Sequence, residues 1–224
     1  PKPGEVSLAH NGVLFLDELP EFTRSAMEVL RQPLEDGKVV ISRAAASLSY
    51  PCEVMLVAAM NPCPCGNFGH PKKRCVCSST AVSKYLNRVS GPLLDRIDIQ
   101  CEITPVPFKD ISKAAPGEPS ANIRERVIKA REIQAARYKD YKGIHCNAQM
   151  TERMIHQFAE PNEAGIDMLR MAMEKLSLSA RAYSRILKVA RTIADLEGCE
   201  HVELHHLAEA IGYRALDRGD WAER

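Results

Sequence analysis

A short apolar segment near the start of the chain ends in two adjacent carboxylates. Residues 13–16 read Val-Leu-Phe-Leu, and Asp17 and Glu18 follow them directly. A continuous apolar run is typical of a parallel strand covered on both faces, and open α/β sheets bind ligands beyond the carboxyl ends of such strands. We therefore predict a buried strand whose acidic end, Asp17 and Glu18, faces a ligand.

Nucleotide hydrolysis is the chemistry that uses two neighbouring carboxylates at such a place. Successive strand residues point in opposite directions, so Asp17 could hold a Mg²⁺ ion while Glu18 polarises the attacking water. The alternative is purely structural: Asp17 ends the strand and Glu18 begins a loop.

A second apolar run, residues 54–60, leads into Asn61. A neutral amide at the end of a strand can hydrogen-bond a lytic water and a γ-phosphate without adding charge. Asn61 is therefore a candidate nucleotide sensor, although an Asn before Pro62 is also an ordinary turn starter.

The segment between the two apolar runs predicts one helix and one hairpin. Thr23 is a suitable cap for a helix over residues 24–34. The hairpin pairs residues 39–43 with residues 47–50 around three alanines.

Four cysteines follow Asn61 in two close pairs. Nine residues separate Cys63 and Cys65 from Cys75 and Cys77. Reduced thiols in two tight pairs are typical of a tetrahedral structural zinc site, so Zn²⁺ is a candidate cofactor here. Two points stay open: the Cys-x-Cys spacing is tighter than the usual Cys-x-x-Cys, and His70 could replace one ligand.

Beyond the cysteines, residues 79–89 predict a helix and residues 97–103 alternate like a strand with one wetter face. Between them lies Arg96, in the sequence Gly-Pro-Leu-Leu-Asp-Arg-Ile-Asp. A guanidinium held at the end of a packed segment suits the charge that develops on a transferred phosphoryl group. The alternative for Arg96 is an ion pair within the chain, with Asp95 or Asp98.

Prolines and glycine then mark a linker, residues 111–120, which divides the chain into domains 1–110 and 121–224. The second domain predicts only helices, with Thr151, Asn162 and Ser179 as N-caps. His201, His205 and His206 cluster near the last helix, and we interpret them as satisfied surface histidines.

The order of these motifs resembles an AAA+ ATPase. The acidic strand end matches a Walker B strand, Asn61 matches sensor 1, and Arg96 matches the arginine finger. The Asn-Pro-Cys-Pro-Cys-Gly that starts at Asn61 and the Ser-Ala-Arg that ends at Arg181 narrow the resemblance to the magnesium-chelatase-like branch, and within it to the YifB/ComM family.

The resemblance implies an α/β partial AAA+ core, a parallel sheet with a hairpin insertion, followed by an all-α helical lid domain. Arg181 matches the sensor 2 position, with Arg185 as the competing candidate. Arg43, near the tip of the hairpin, could touch a threaded phosphate backbone, or it could simply be solvated.

The same resemblance implies ATP and Mg²⁺ as cofactors and self-association into a ring, which we expect to be a hexamer. It also implies action on DNA, as a branch-migration or helicase-like translocase. Two alternatives stay open: the ATPase subunit of magnesium chelatase, and a non-catalytic zinc-bearing assembly module. A phosphate-binding Gly-x-x-x-x-Gly-Lys-Ser/Thr is absent from the 224 residues, so we expect a fragment that is inactive alone.

Composition limits how the chain could contact nucleic acid or a membrane, but it does not identify a function. Thirty Lys plus Arg against 29 Asp plus Glu leave a formal net charge of +1, so contact with a polyanion would have to be local. The basic residues 72–74 are a candidate for such a contact. No apolar run approaches the ~18 residues of a membrane span and no signal peptide is evident, so we expect a cytoplasmic protein without membrane contact.

Overall fold

The computed structural model describes residues 2–43, 46–112 and 116–214. The chain divides into two compact units, the first running to Ile97 and the second beginning at Asp98. The first is α/β and the second is helical, as the predicted order of an α/β core and a helical lid requires.

The first unit contains a parallel pair of strands and an antiparallel hairpin. Its strands are β1 (Val13–Leu16), β2 (Lys38–Arg43), β3 (Ala46–Pro51) and β4 (Met55–Ala58). Its helices are α1 (Glu5–Leu8), α2 (Arg24–Val29), α3 (Arg31–Asp36), α4 (Ser79–Leu86), α5 (Gly91–Leu94) and a 3₁₀ turn (Leu19–Glu21).

Strands β1 and β4 form the parallel pair, with Leu16 opposite Ala58. The prediction that β1 is covered on both faces is wrong for the part of the chain that the structure describes. Val13 and Phe15 are 59% and 58% exposed, whereas Leu14 and Leu16 are half-buried. One face of the pair packs on its own unit, and the other face carries the exposed apolar side chains.

The predicted helix over residues 24–34 is interrupted at Leu30, which ends α2 and precedes α3. Pro33 accounts for the break, since proline has no N–H to donate to the carbonyl of Val29. The hairpin is confirmed as β2 and β3. Its tip, including the side chain of Arg43, lies outside the described residues.

The alternating segment 97–103 does not form a strand. Alternation alone does not make a strand, because a strand also needs a neighbour for its backbone N–H and C=O groups. Instead, the backbone N–H of Gln100 donates to the carbonyl of Tyr213, 2.9 Å away, within the second unit.

The described part of the second unit consists of helices and the loops that join them. They are α6 (Phe108–Ser112), α7 (Ser120–Tyr138), a 3₁₀ turn (Asn147–Gln149), α8 (Glu152–Phe158), α9 (Glu163–Leu176), α10 (Ala180–Glu197) and α11 (Leu204–Gly212). The predicted N-caps are confirmed: the side chains of Thr151, Asn162 and Ser179 accept N–H bonds from the first turns of α8, α9 and α10.

The core of the second unit forms around α10. Ile186, Leu187 and Ala190 of this helix are at most 1% exposed, and they pack with Ile155 of α8 and Leu207 of α11. Apolar residues at helical spacing bury one stripe of α10, which anchors the other helices to it.

None of the helices within the described ranges combines the length and the apolar character that crossing a bilayer would need.

The linker over residues 111–120 stays a prediction, and residues 113–115 of it lie outside the described chain.

Candidate functional site

The predicted acidic and amide residues follow the carboxyl ends of the two parallel strands. Beyond the Leu16–Ala58 pair, the N–H of Ala59 donates to the carbonyl of Leu16 at 2.9 Å. The N–H of Leu19 donates to the carbonyl of Ala59 at 3.0 Å. These bonds extend the pairing past the strand ends and hold the segment of Asp17 and Glu18 beside the segment that leads to Asn61.

Glu18 has a left-handed backbone, with φ 51° and ψ 46°. Its N–H donates to the Oδ1 atom of Asp17 at 2.9 Å. Both residues are exposed, so their remaining carboxylate oxygens face solvent. Oxygen ligands of this kind suit Mg²⁺, which keeps several waters and takes one or two carboxylates from the protein. The donor set therefore fits the predicted metal role of Asp17.

Asn61 is exposed just beyond β4. Burial raises the pKa of the Tyr85 hydroxyl on α4, the charge of Glu21 raises it further, and the nearby Asn61 backbone opposes these effects. Tyr85 therefore stays a neutral phenol close to the backbone of Asn61.

Sequence reasoning missed Tyr85. Its spacing with Val82 and Leu86 indicates a buried helix face, and all three are at most 5% exposed. That spacing predicts burial but gives no sign that the hydroxyl reaches the end of β4.

An open cavity of about 710 Å³ lies on another part of the first unit. Residues from the 3₁₀ turn, α2 and α4 form its lining, among them Glu21, Arg24 and Arg88. Arg88 donates to the carbonyl of Pro20 and to Glu21, each at 3.1 Å. None of the predicted site residues lines this cavity.

Arg96 is held inside the first unit. Its side chain is 7% exposed, it forms an ion pair with Glu35 of α3, and it donates to the carbonyl of Pro92 at 2.6 Å. The alternative of an intrachain ion pair is thus realised, with Glu35 as a partner that the sequence did not suggest. Contact with a neighbour's nucleotide would require this pair to open.

The arginines of α10 differ in their surroundings. Arg181 is exposed in the first turn of the helix. Arg185, one turn later, donates to Oδ1 of Asp98 at 2.5 Å. Arg191 is 1% exposed and is paired with Asp195, so it serves the interior of the unit. Arg181 is therefore more exposed than Arg185.

The structure brings the four cysteines together. The ligand atoms of Cys63, Cys65, Cys75 and Cys77 all lie within 4.8 Å of one another. His70 does not belong to this group, because its Nδ1 accepts the backbone N–H groups of the two residues that follow Pro71, each at 3.0 Å. The proposed exchange of a cysteine ligand for His70 is therefore not favoured.

The histidines near α11 have ordinary partners, but the prediction that they lie on the surface is wrong for His206. His206 is fully buried, and its Nδ1 accepts the N–H of Glu203 at 2.8 Å as part of a capping box. Its Nε2 lies 3.0 Å from Oε2 of Glu197, and the Nε2 of His205 lies 2.9 Å from the same oxygen. The cap uses Nδ1 of His206 and leaves its Nε2 in a group with His205 and Glu197, whose ligand atoms all lie within 4.8 Å of one another.

Comparison with protein families agrees with the order of these motifs. Residues 1–111 match the family model for magnesium chelatase, subunit ChlI, and residues 117–214 match the model for the C-terminal part of that subunit.

Relatives match almost the whole chain. The competence protein ComM of Haemophilus influenzae is 48% identical over 219 residues, and YifB of Escherichia coli is 46% identical over 219 residues; each alignment covers 97% of this chain. An uncharacterised protein of Mycobacterium tuberculosis is 39% identical over 95% of this chain.

The chain spans 42% of the length of each of these relatives. The two family models meet at residues 111–117, next to the predicted linker, and together they account for both the α/β and the helical unit. The chain therefore belongs to the magnesium-chelatase-like family of subunit ChlI, together with ComM and YifB.

Proposed function

We propose that this chain is part of an ATP-hydrolysing ring motor of the AAA+ type. The observation that carries this function is the placement of Asp17, Glu18 and Asn61 beyond the ends of two hydrogen-bonded parallel strands. Carboxylates and an amide at that edge of an open sheet are suited to a nucleotide and its metal.

Each residue has a separate task in this function. Asp17 offers an exposed carboxylate to Mg²⁺, which would neutralise charge on the phosphates when bound. Glu18 accepts the proton of the attacking water or polarises it, and Asn61 orients that water by hydrogen bonds. Arg181 keeps the sensor 2 role that the resemblance assigns to it, a contact with the γ-phosphate. The phosphate-binding loop would have to come from outside the 224 residues.

The left-handed backbone of Glu18 supports an active role for this residue. A non-glycine residue in this conformation costs about 1–2 kcal/mol. Such strain is found preferentially at functional sites, where it aims a side chain that an extended strand would direct elsewhere.

The partners of this motor are a ring of identical chains, which we infer to be a hexamer, and DNA. The relative of H. influenzae is named a competence protein, which favours a DNA-directed role here, as a branch-migration or helicase-like translocase. Aromatic residues make up only 5% of the chain, so DNA binding would depend on phosphate contacts and weaken steeply with salt.

All eight cysteines carry free thiols, which favours the reducing cytoplasm.

Metal insertion into a porphyrin is the second candidate, because the matching family models describe a magnesium chelatase subunit. The identity with ComM and YifB over 97% of the chain favours the DNA motor instead. A non-catalytic assembly module would leave Glu18 without a role.

The test is ATP hydrolysis by the full-length protein with and without branched or single-stranded DNA. We expect ATP turnover that DNA stimulates. The Glu18→Gln variant should still bind ATP but should lose most of its turnover. Loss of a general base typically lowers kcat about 10²–10⁴-fold. Glu21→Gln is the matched control, since Glu21 lies three residues away in an ion pair with Arg88. Unchanged turnover in Glu18→Gln would contradict the proposed role of this carboxylate.

A further inference from the structure

We propose that Cys63, Cys65, Cys75 and Cys77 bind one Zn²⁺ ion, and that this centre holds Asn61 in place at the end of β4. The arrangement of the four cysteines supports the zinc site independently of the proposed function. The expected effect of zinc on ATP turnover rests on the function proposed above.

The spacing of the thiols is that of a metal centre. The Sγ atom of Cys63 lies 3.5 Å from that of Cys65 and 3.7 Å from that of Cys75, and the Cys65 and Cys75 sulfurs are 3.6 Å apart. Four thiolates about 2.3 Å from a central zinc would be about 3.8 Å from one another, whereas bonded sulfurs lie at about 2.05 Å. The observed distances agree with the tetrahedral arrangement.

Two backbone N–H groups of the loop between the cysteines donate to Cys63, one to its sulfur and one to its carbonyl oxygen. The N–H of Phe68 donates to the Sγ of Cys63 at 3.3 Å, and the N–H of Gly66 donates to the carbonyl of Cys63 at 3.0 Å. Gly66 has φ +74°, a conformation that a side chain would oppose and that closes the Cys-Pro-Cys-Gly turn tightly. This turn lets two ligands only two residues apart share one centre.

The chemistry of the four ligands limits which metal the site can hold. Four soft thiolates in a tetrahedron select zinc, or iron in a cluster.

A buried contact connects the cysteines to Asn61. Cys63 is fully buried and packs with Val82, Tyr85 and Leu86 of α4. Tyr85 in turn lies close to the Asn61 backbone, which opposes the rise that burial causes in the pKa of its hydroxyl. Cys63 lies two residues after Asn61, so a metal on Cys63 fixes both the chain that follows Asn61 and the helix beside it.

The first measurement is the metal content of the purified chain. We expect about one zinc per chain, and Co²⁺ substitution should give the absorption of a tetrahedral thiolate site. Cys77→Ala should lose the metal, whereas Cys77→His should retain it, because imidazole is also a zinc ligand. Cys101→Ser is the control, since Cys101 is exposed and outside the group. A wild-type chain without zinc, or one with iron, would overturn the zinc centre.

The second measurement separates the positioning role from catalysis. Amide hydrogen exchange in the wild-type chain should show that a chelator removes protection at Asn61 and in α4 but not in α10. In the full-length protein, Cys77→Ala should lower kcat with little change in KM for ATP, and Cys77→His should restore it. Zinc loss without change in exchange at Asn61 would overturn the positioning role. Zinc binding in a protein without ATPase activity would contradict the proposed function alone.

Discussion

At Glu18 a side chain to which we assign a catalytic role occupies a backbone conformation that glycine tolerates better. The residue has φ 51°, and its N–H is tied to Asp17. A substitution of Glu18 can therefore change two things at once: the strain of the backbone and the role of the carboxylate.

Glu18→Gly and Glu18→Ala separate these contributions. Both remove the carboxylate, so both should abolish turnover in the full-length protein. Glycine relieves the left-handed strain, and Glu18→Gly should therefore be about 1 kcal/mol more stable than Glu18→Ala. Urea unfolding of the two variants measures the difference. Equal stabilities would mean that the left-handed conformation is not maintained in solution.

Asp195 connects the buried polar groups of the second unit. It is 1% exposed and accepts hydrogen bonds from Arg137 at 2.5 Å and 2.8 Å, from Asn147 at 2.8 Å and from Arg191 at 3.1 Å. Burial alone would raise its pKa, but the bonds from Arg137 and Asn147 and the two guanidinium charges lower it below its ordinary value. The carboxylate compensates two cations that would otherwise be buried alone.

Asp195→Asn should lower the free energy of unfolding by about 3–5 kcal/mol, because it leaves Arg137 and Arg191 without their anion. Asp167→Asn is the matched control: it removes an exposed ion pair with Arg170 and should cost less than about 1 kcal/mol. Chemical denaturation compares the two. Similar losses would show that the buried network contributes no more than a surface pair.

The same carboxylate predicts a pH dependence. Its pKa is lower in the folded state, so its stabilisation is complete above the unfolded value of about 3.9 and is lost as the pH falls through the folded value. Wild-type stability should therefore decrease below about pH 4 more steeply than that of Asp195→Asn. Parallel curves for the two proteins would contradict this assignment.

Among the helices, α9 depends on a close approach at its first turn. A Cβ atom at Gly165 would lie 2.7 Å from the Cβ of Pro161 and 2.8 Å from Cδ1 of Leu207. Only glycine allows α9 to approach α11 and the preceding proline this closely.

Gly165→Ala should destabilise the chain by about 1–3 kcal/mol through this overpacking. Gly212→Ala is the matched control, because Gly212 is also helical but a Cβ there meets nothing within 4 Å. That change should be neutral or should stabilise by up to about 1 kcal/mol. Thermal unfolding distinguishes them, and equal effects would contradict the close packing of α9.

For the whole molecule, the main question is how Arg96 could act in a ring when it is paired with Glu35 in its own chain. A role on a neighbour's nucleotide predicts complementation between two inactive full-length proteins. Arg96→Ala keeps Glu18, and Glu18→Gln keeps Arg96. If each site uses one subunit's Glu18 and the next subunit's Arg96, an equal mixture should recover roughly a quarter of wild-type turnover.

Glu35→Gln is the control for this experiment. It removes the ion pair but leaves the guanidinium, so it should retain turnover if Arg96 acts between subunits. Inactive mixtures, together with equal destabilisation by Arg96→Ala and Glu35→Gln, would assign Arg96 to the packing of its own unit.

The sequence alone determined the features that depend on local chemistry. Apolar runs predicted the strands β1 and β4. Capping side chains predicted the helix starts at Thr151, Asn162 and Ser179, because a capping side chain and its helix are neighbours in the chain. The paired cysteines likewise predicted a single group, since short loops limit how far apart the two pairs can lie.

Only the tertiary structure decided which distant groups meet. The sequence did not predict that Tyr85 reaches Asn61, that Arg96 pairs with Glu35, or that Asp195 joins Arg137, because these contacts depend on how separate elements pack. It also predicted a strand over residues 97–103, where periodicity was present but a neighbouring strand was not. Secondary structure follows from the period of the side chains, whereas ion pairs, buried polar networks and strand partners follow from the packing.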